Sequence, residues 1–292
     1  MSFKDHLTYL LLHIISKILN RVSNRTASGI GQRVGSLVYH YFPVRSEVAQ
    51  KNLEKAFPQQ SGEFYHHTLK RAHCHFGEIF IDALRLSNFN FDKRIIVENR
   101  EVLNEALVER KGVILISGHL GNWEIIPVWF AKNGFLSYPI ARRQKNKGAN
   151  KFFIELREKT GTHPFYAGSQ AQKMLHVLKK GGILGFASDQ DARRKGVFVD
   201  FFGISSSTPR GAAIFHLKTG APMIMALCLK DPEGKYHLKF TKVPTMPRKN
   251  TSVKTITQQF TSILEMEVRK NPEQYFWFHR RWKTKLRDKT GT

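Results

Sequence analysis

A histidine and a glutamate stand five positions apart in the segment SGHLGNWE (residues 117–124). His119 follows an apolar run, and Gly118 and Gly121 flank it, so the backbone can bend tightly and approach a ligand there. An imidazole held in one tautomer by a carboxylate can take a proton from a hydroxyl through its other nitrogen. The spacing therefore predicts that Glu124 folds back on His119 and orients it as a general base.

A purely structural interpretation fits the same residues. Glu124 could complement the dipole of the helix that follows, and His119 could be an ordinary turn residue, since a lone H-x4-E pattern has a high false-positive rate. The sequence lacks a G-x-S-x-G elbow, a phosphate-binding G-x-x-x-x-G-K-[ST] loop and an H-E-x-x-H motif, and GIGQRVG (29–35) has the wrong spacing for a dinucleotide fingerprint. Without a nucleophile partner, His119 would activate the substrate's own hydroxyl, which predicts direct acyl transfer.

Helices alternate with short buried strands from residue 100 onward, which predicts an α/β fold: a mixed, largely parallel sheet covered by helices on both faces. Residues up to about 100 read as helical. Helices are expected at 61–86, 101–110, 123–133, 147–160, 169–180, after 212 and at 251–270, and strands at 113–117, 137–141, 165–166, 183–188, 223–229 and 236–240. Functional residues usually lie at the carboxyl ends of the strands in such a sheet, and two of these ends are followed by charged residues, in the segments 117–124 and 188–191.

The N-terminal segment is apolar over residues 7–19, but His13 and Lys17 interrupt it, and the run is shorter than the about 20 residues of a membrane span. We expect residues 1–25 to form an interfacial helix that anchors the protein to a membrane surface, and residues 26–292 to form a single domain. A helix packed into the core is the alternative. The cations expected to meet lipid phosphates are Lys4, Lys17, Arg21 and Arg25.

The chain is strongly basic, with 47 Lys and Arg against 23 Asp and Glu and a formal net charge of +24. Such a field attracts polyanions: nucleic acid, anionic lipid headgroups or phosphorylated substrates. No zinc-finger spacing, basic zipper or RNP pattern is found, so nucleic acid is not the expected partner. The two cysteines, Cys74 and Cys228, cannot build a disulfide framework and favour a reducing compartment.

Several segments in the same order closely resemble the late (secondary) lipid A acyltransferases, within the H-x4-D/E lysophospholipid acyltransferase superfamily. The resemblance covers roughly residues 1–285 and rests on SGHLGNWE, ARRQKN (141–146), SDQD (188–191), GVFVDFFG (196–203), STPRG (207–211) and PEQYFWFHRRWK (272–283). It implies an α/β acyltransferase at the cytoplasmic face of a bacterial inner membrane. The expected donor is an acyl carrier protein thioester, and the expected acceptor is a hydroxyl of a lipid A precursor. It implies no metal or redox cofactor.

The resemblance also assigns residues. His119 matches the family's catalytic histidine, Glu124 its partner carboxylate, Arg157 an arginine needed for activity and Asp189 the first acid of a D-x-D element. Taken alone, Arg157 would be a solvated helix charge and Asp189 a cap. The same motif segments contribute further candidates for binding substrate: Asn122, Arg142, Asn146, Asp191 and Arg210.

The acceptor stays open, because ARRQKN lacks the proline that often follows the tyrosine-arginine pair of the family. An acyltransferase of the same mechanism could act on another membrane glycolipid, such as a mannoside, or on a phospholipid. A third hypothesis, from a different functional class, is a non-enzymatic basic protein that binds membrane or nucleic acid. Acyl-chain length, acylation position and oligomeric state do not follow from the sequence.

Overall fold

Seven strands form one mostly parallel sheet in the part of the chain that the computed structural model describes, residues 1–42, 44–166, 170–245 and 251–286. The described residues contain nine strands in all: β1 Ile95–Glu98, β2 Val113–Ser117, β3 Ser137–Ala141, β4 Phe165–Tyr166, β5 Ile183–Ala187, β6 Val197–Phe201, β7 Ile204–Thr208, β8 Met223–Lys230 and β9 Tyr236–Lys242. The sheet order is β1-β9-β8-β2-β5-β3-β4, while β6 and β7 pair separately as an antiparallel hairpin. Within the sheet, β8 and β9 are antiparallel and the other pairs are parallel.

Helices cover the sheet on both faces. They are α1 Phe3–Leu19, α2 Asn24–Tyr41, α3 Ser46–Ala56, α4 Gly62–Leu84, α5 Phe91–Arg94, α6 Arg100–Val108, α7 Ile125–Lys132, α8 Lys147–Lys159, α9 Ala171–Lys179, α10 Gly211–Thr219 and α11 Val253–Lys270. Along β2, Ile114 and Ile116 pack into one hydrophobic core with α3, α4, α10 and α11, while Val113 and Leu115 pack into a second core with α6 and α7. The predicted α/β fold with a largely parallel sheet is therefore confirmed.

Element bounds agree closely with the periodicity. The strands predicted at 113–117, 137–141 and 165–166 have those bounds, and α7 begins two residues later than predicted, with Glu124 at its N-cap. Residue 169, the expected start of α9, and residues 287–292 lie outside the described residues. The sequence pattern missed β1 and the β6–β7 hairpin.

The turn of that hairpin explains why it was missed. Phe202 and Gly203 connect the two strands, and both have positive φ. A two-residue turn of this kind normally carries Asn-Gly or Asp-Gly, because a bulky residue is strained at positive φ. Here the Phe202 ring packs against Phe201, Trp277 and Phe57, which holds the conformation in place. Tertiary packing fixes this turn, whereas local turn chemistry does not.

Pairing of β2 with β5 positions the two charged strand ends side by side. Ser117 is in register with Ala187, and the Ser188 N–H donates to the Ser117 carbonyl at 2.9 Å. Since the strands are parallel, His119 and Asp189 each lie two residues beyond that last pair and emerge at the same edge of the sheet.

Helix α1 docks by its polar side. The Tyr9 hydroxyl donates to Glu155 on α8 at 2.9 Å, His13 Nε2 lies 3.2 Å from the same carboxylate, and Ser16 donates to the Leu84 carbonyl. The outward side is apolar and exposed, with Phe3, Leu7, Leu10, Leu11, Ile14, Ile15 and Ile18. Within the described ranges, no helix is both long enough and apolar enough to cross a membrane.

Candidate active site

His119 is hydrogen-bonded to Asp189. Its Nδ1 lies 2.7 Å from Asp189 Oδ1, and its backbone N–H donates to Oδ2 of the same carboxylate at 2.9 Å. Because the carboxylate is an acceptor, Nδ1 carries the proton and Nε2 is the free basic nitrogen. Asp189 is almost fully buried, whereas the His119 side chain is 21% exposed and lines a cleft. This is the geometry of a general base with its orienting acid.

Glu124 contacts a different partner from the one predicted. Its Oε2 accepts from Arg157 Nη2 at 3.4 Å, with both side chains partly buried. The orienting contact to His119 that the sequence assigned to Glu124 is made by Asp189 instead. The physical reason is that Asp189 follows the strand adjacent to β2, while Glu124 has been carried one turn onward to the start of α7. The four residues His119, Glu124, Arg157 and Asp189 nevertheless converge on one site.

Electrostatics favour a charged carboxylate beside the histidine. Burial lowers the pKa of His119, but the Asp189 charge, its hydrogen bond and the charge of Glu124 outweigh burial, so the pKa lies above the ordinary 6.5. Burial raises the pKa of Asp189, yet the charge and hydrogen bonds of His119, with a contribution from Arg281, bring it below the ordinary 3.8. Asp189 is therefore an anion at neutral pH.

The Gly-rich turn is braced by its own backbone. The Gly121 N–H donates to the Gln274 carbonyl and the Asn122 N–H to the Cys228 carbonyl. Gly121 has φ +65°, and a Cβ there would meet the Cys228 oxygen, so a glycine is required for the approach to β8. With the His119, Gly121 and Asn122 N–H groups all engaged, these backbone groups are poor candidates for binding an oxyanion, and Arg157 is the better one.

Aromatic rings form a wall beside the imidazole. The Trp123 ring lies edge-on to His119 with centroids 4.7 Å apart, and Phe276 lies 6.1 Å away on the same side. Phe76 contacts both Trp123 and Phe276. The wall fixes the ring plane of His119, which keeps Nε2 directed at the cleft.

The cleft next to His119 has a volume of about 560 Å³. Its polar end is lined by His119, Glu124, Arg142, Gln144, Arg157 and Gln190. Its apolar end runs between α7 and the sheet, and is lined by Leu115, Ile126, Pro127, Phe130, Pro139, Ile140, Ile183 and Phe186. A polar reaction centre that opens into an apolar channel suits a ligand with a reactive head and a hydrocarbon tail.

The five further candidates separate into two groups. Arg142 and Asp191 line the cleft, and Arg210 is exposed just after Pro209, which also lines it. Asn122 is fully buried and donates to the Tyr236 hydroxyl at 3.3 Å, and Asn146 caps α8 by accepting from the Ala149 N–H at 2.8 Å. The structure thus gives Asn122 and Asn146 hydrogen bonds within the protein rather than a place on the cleft.

Sequence reasoning missed three residues of the site. Gln190 Nε2 lies 3.4 Å from His119 Nε2, Trp123 packs on the imidazole, and Phe276 donates its N–H to the His119 carbonyl at 2.9 Å. All three lie inside motif segments quoted above. Their presence in those segments was the available signal, but periodicity cannot show which side chains point into a cleft.

Comparison with known proteins identifies the family of this chain. Residues 3–284 match the family described as bacterial lipid A biosynthesis acyltransferase, and the chain belongs to this family. The chain is therefore an acyltransferase, and the hypothesis of a non-enzymatic basic binding protein is excluded.

Three relatives illustrate the range of the family. The lipid A biosynthesis palmitoleoyltransferase of Escherichia coli (strain K12) is 26% identical over 264 residues, which cover 88% of this chain and 84% of the relative. The lipid A biosynthesis lauroyltransferase of the same strain is 23% identical, covering 88% and 85%. The phosphatidylinositol mannoside acyltransferase of Mycobacterium tuberculosis (strain CDC 1551 / Oshkosh) is 24% identical, covering 71% and 67%. The names of these relatives describe acylation of lipid A or of phosphatidylinositol mannoside.

Proposed function

We propose that this enzyme moves a fatty acyl chain from an acyl carrier protein thioester to a hydroxyl of a lipid A precursor, with His119 as general base. The observation that carries the proposal is the His119–Asp189 pair at the mouth of a cleft whose other end is apolar. Asp189 holds the tautomer, and Nε2 takes the proton from the acceptor hydroxyl as its oxygen attacks the thioester carbonyl.

Arg157 and Glu124 act at the developing charge. Arg157 lines the cleft, and its Nη2 is held by Glu124, so the guanidinium is positioned to donate to the thioester oxygen as it becomes negative. Collapse of the tetrahedral intermediate forms the ester and releases the thiolate, which takes up the proton from His119. Each methylene of the acyl chain that leaves water for the apolar end of the cleft adds about 0.8 kcal/mol to binding.

Charge at the mouth of the cleft suits an acidic donor. Exposed cations lie in the two loops that line it, at Arg142, Arg143, Lys145, Arg193, Arg194 and Lys195. Such a basic rim attracts an acidic carrier protein and also the phosphates of a lipid A precursor.

The membrane is the proposed source of the acceptor. Helix α1 directs polar residues toward α8 and leaves its apolar face exposed. A helix on a water-facing surface normally has the opposite arrangement, with its apolar face against the protein. We assign this face to the interface of a bacterial inner membrane, on its cytoplasmic side, with anionic lipids near the flanking cations. The end of α2 and the residues just beyond it also expose apolar side chains: Leu37, Tyr41, Phe42 and Val44.

A second acceptor class is favoured by the mannoside acyltransferase among the relatives. In that case the same site would acylate another membrane glycolipid. Mass spectrometry of total lipids after gene deletion separates the two: loss of one acyl chain from lipid A supports the first, and an unchanged lipid A with an altered glycolipid supports the second.

The reaction itself is tested with purified protein, acyl carrier protein thioester and a lipid A precursor. His119→Ala should lower the rate about 10²–10⁴-fold, because general-base assistance has roughly this magnitude. His67→Ala, a change at an exposed histidine on α4, is the matched control and should keep the wild-type rate. A His119→Ala enzyme with wild-type turnover would rule out the proposed base.

A further inference from the structure

The C-terminal segment from Gln274 to Thr284 contacts both loops of the site. On the His119 side, the Gln274 carbonyl accepts from the Gly121 N–H, and the Phe276 N–H donates to the His119 carbonyl. On the Asp189 side, His279 Nε2 accepts from the Asp191 N–H at 3.0 Å, and Thr284 donates to Asp191 Oδ2 at 2.9 Å. One segment therefore bridges the two loops that carry the base and its acid.

Arg281 is the buried cation of this segment, with only 3% of its surface exposed. Its Nη1 donates to the Ser207 carbonyl at 2.8 Å and its Nη2 to Thr208 Oγ1 at 2.6 Å, both at the end of β7. The guanidinium also lies over the Phe201 ring. Rigid anchoring of this kind leaves the charge in a fixed place.

Holding two oxygens of β7 needs donors but not a positive charge. Burying a guanidinium costs several kcal/mol unless an anion compensates it. In the described part of the chain no carboxylate lies within ion-pair distance of Arg281, and the anion that shares its small internal cavity is Asp189. Burial and then the charge of Asp189 raise the pKa of Tyr275 well above its ordinary value.

We propose that Arg281 is a positioning residue of the acyl transfer, whose fixed guanidinium offsets part of the Asp189 charge and so leaves His119 neutral and able to accept a proton. The role rests on the proposed function, because Arg281 acts through the His119–Asp189 pair and does not reach the cleft. It gives the PEQYFWFHRRWK segment a part in catalysis beyond packing.

The proposal fixes the sign of a pH effect. The charged and titratable groups that interact electrostatically with the pair are Glu124, Tyr275, His279 and Arg281. Of these, Arg281 is a permanent cation, so its removal makes a proton on His119 more favourable and raises the pKa of His119. The base then becomes neutral only at higher pH, and the acidic limb of kcat/KM against pH moves up.

The experiment compares Arg281→Gln, Arg281→Lys and the matched control Arg280→Gln, which removes a charge from the adjacent exposed arginine. Arg281→Gln should lose about three- to tenfold of its rate at about pH 6 and recover toward its plateau at alkaline pH. Arg281→Lys should restore the acidic limb, and Arg280→Gln should match the wild type. A loss of equal size at all pH values would show a structural role only and overturn the proposal.

A readout without turnover separates this test from the proposed function. NMR titration of ¹⁵N-histidine protein, with His119→Gln to assign the signal, reports the pKa of His119 directly and should rank the variants in the same order. If Arg281→Gln does not fold, Thr208→Val removes one anchor of the guanidinium without removing its charge and should move the titration in the same direction. A folded Thr208→Val protein with the wild-type titration would then overturn the proposal.

Discussion

At the residue scale, the two carboxylates of the site contact different partners. Asp189 contacts His119 Nδ1 at 2.7 Å, whereas Glu124 holds Arg157 at 3.4 Å. In the reaction that we propose, the first pair handles the proton and the second pair the oxyanion, so the two pairs act on different atoms. In that mechanism the H-x4-E motif supplies the base and the carboxylate that holds Arg157, while Asp189, from elsewhere in the chain, orients the base.

This division predicts different outcomes for Asp189→Asn and Glu124→Gln. Asp189 is the larger favourable influence on the raised pKa of His119 and Glu124 the smaller. Asp189→Asn should therefore move the acidic limb of kcat/KM to lower pH, since the imidazolium loses its counter-charge, while the plateau rate falls about 10²-fold or more. Glu124→Gln should lower the plateau with a smaller displacement of the limb.

Two double mutants test whether the His119–Asp189 and Glu124–Arg157 pairs act separately. His119→Ala with Asp189→Asn should be little worse than His119→Ala alone, because residues that act as one unit are strongly non-additive. Asp189→Asn with Glu124→Gln should be close to the product of the two single losses, because the pairs act separately. If Glu124→Gln moved the limb more than Asp189→Asn, Glu124 would be the orienting acid after all.

At the scale of elements, glycines set how closely the N-terminal helices pack. The segment GIGQRVG, which has the wrong spacing for a dinucleotide site, lies in α2 with Gly31 and Gly35 turned to α4. A Cβ at Gly31 would lie 2.5 Å from the Glu78 Cα, and one at Gly35 would lie 2.2 Å from the His73 carbonyl oxygen. Both distances are to backbone atoms, which cannot move away without separating the helices. The glycines therefore have a packing role.

Gly31→Ala should destabilise the protein by about 1–3 kcal/mol, the usual cost of an overpacked contact. Gly29→Ala is the matched control, because it lies in the same helix and a Cβ there would meet nothing within 4 Å. That change should stabilise α2 by up to about 1 kcal/mol, since alanine has the better helix propensity. Thermal unfolding followed by circular dichroism measures both. Equal melting temperatures for the two variants would contradict the close α2–α4 contact.

At the scale of the whole molecule, an uncovered apolar face on α1 and a net charge of +24 describe a protein suited to an anionic lipid surface. Leu10 and Ile14 lie near the centre of that face and are about half exposed. Because each is already about half covered, it should contribute about half of the ~1.5–3 kcal/mol that a fully exposed side chain contributes when it leaves water. Attachment should accordingly depend on apolar burial as well as on charge.

Replacing Leu10 and Ile14 together by Asp should reduce co-flotation with phosphatidylglycerol-containing vesicles by about tenfold or more, since the apolar contribution of both side chains is lost. Val108→Asp with Leu136→Asp is the control, because it places the same two charges on exposed apolar residues outside α1. The control should float like the wild type. Unchanged flotation of the α1 double variant after a high-salt wash would mean that another surface binds the membrane.

Local patterns predicted most of the helices and strands and the residue types of the site, although they missed β1 and the β6–β7 hairpin. Periodicity located β2, β3 and β4, and the residue types in SGHLGNWE and SDQD indicated a base with acids nearby, because these signals are local to a few residues. The identity of the acid that contacts His119 could not be predicted in this way. That choice depends on the pairing of β2 with β5, which brings Asp189 from 70 residues away to 2.7 Å. Strand order follows from the packing of the entire sheet, and no local spacing encodes it.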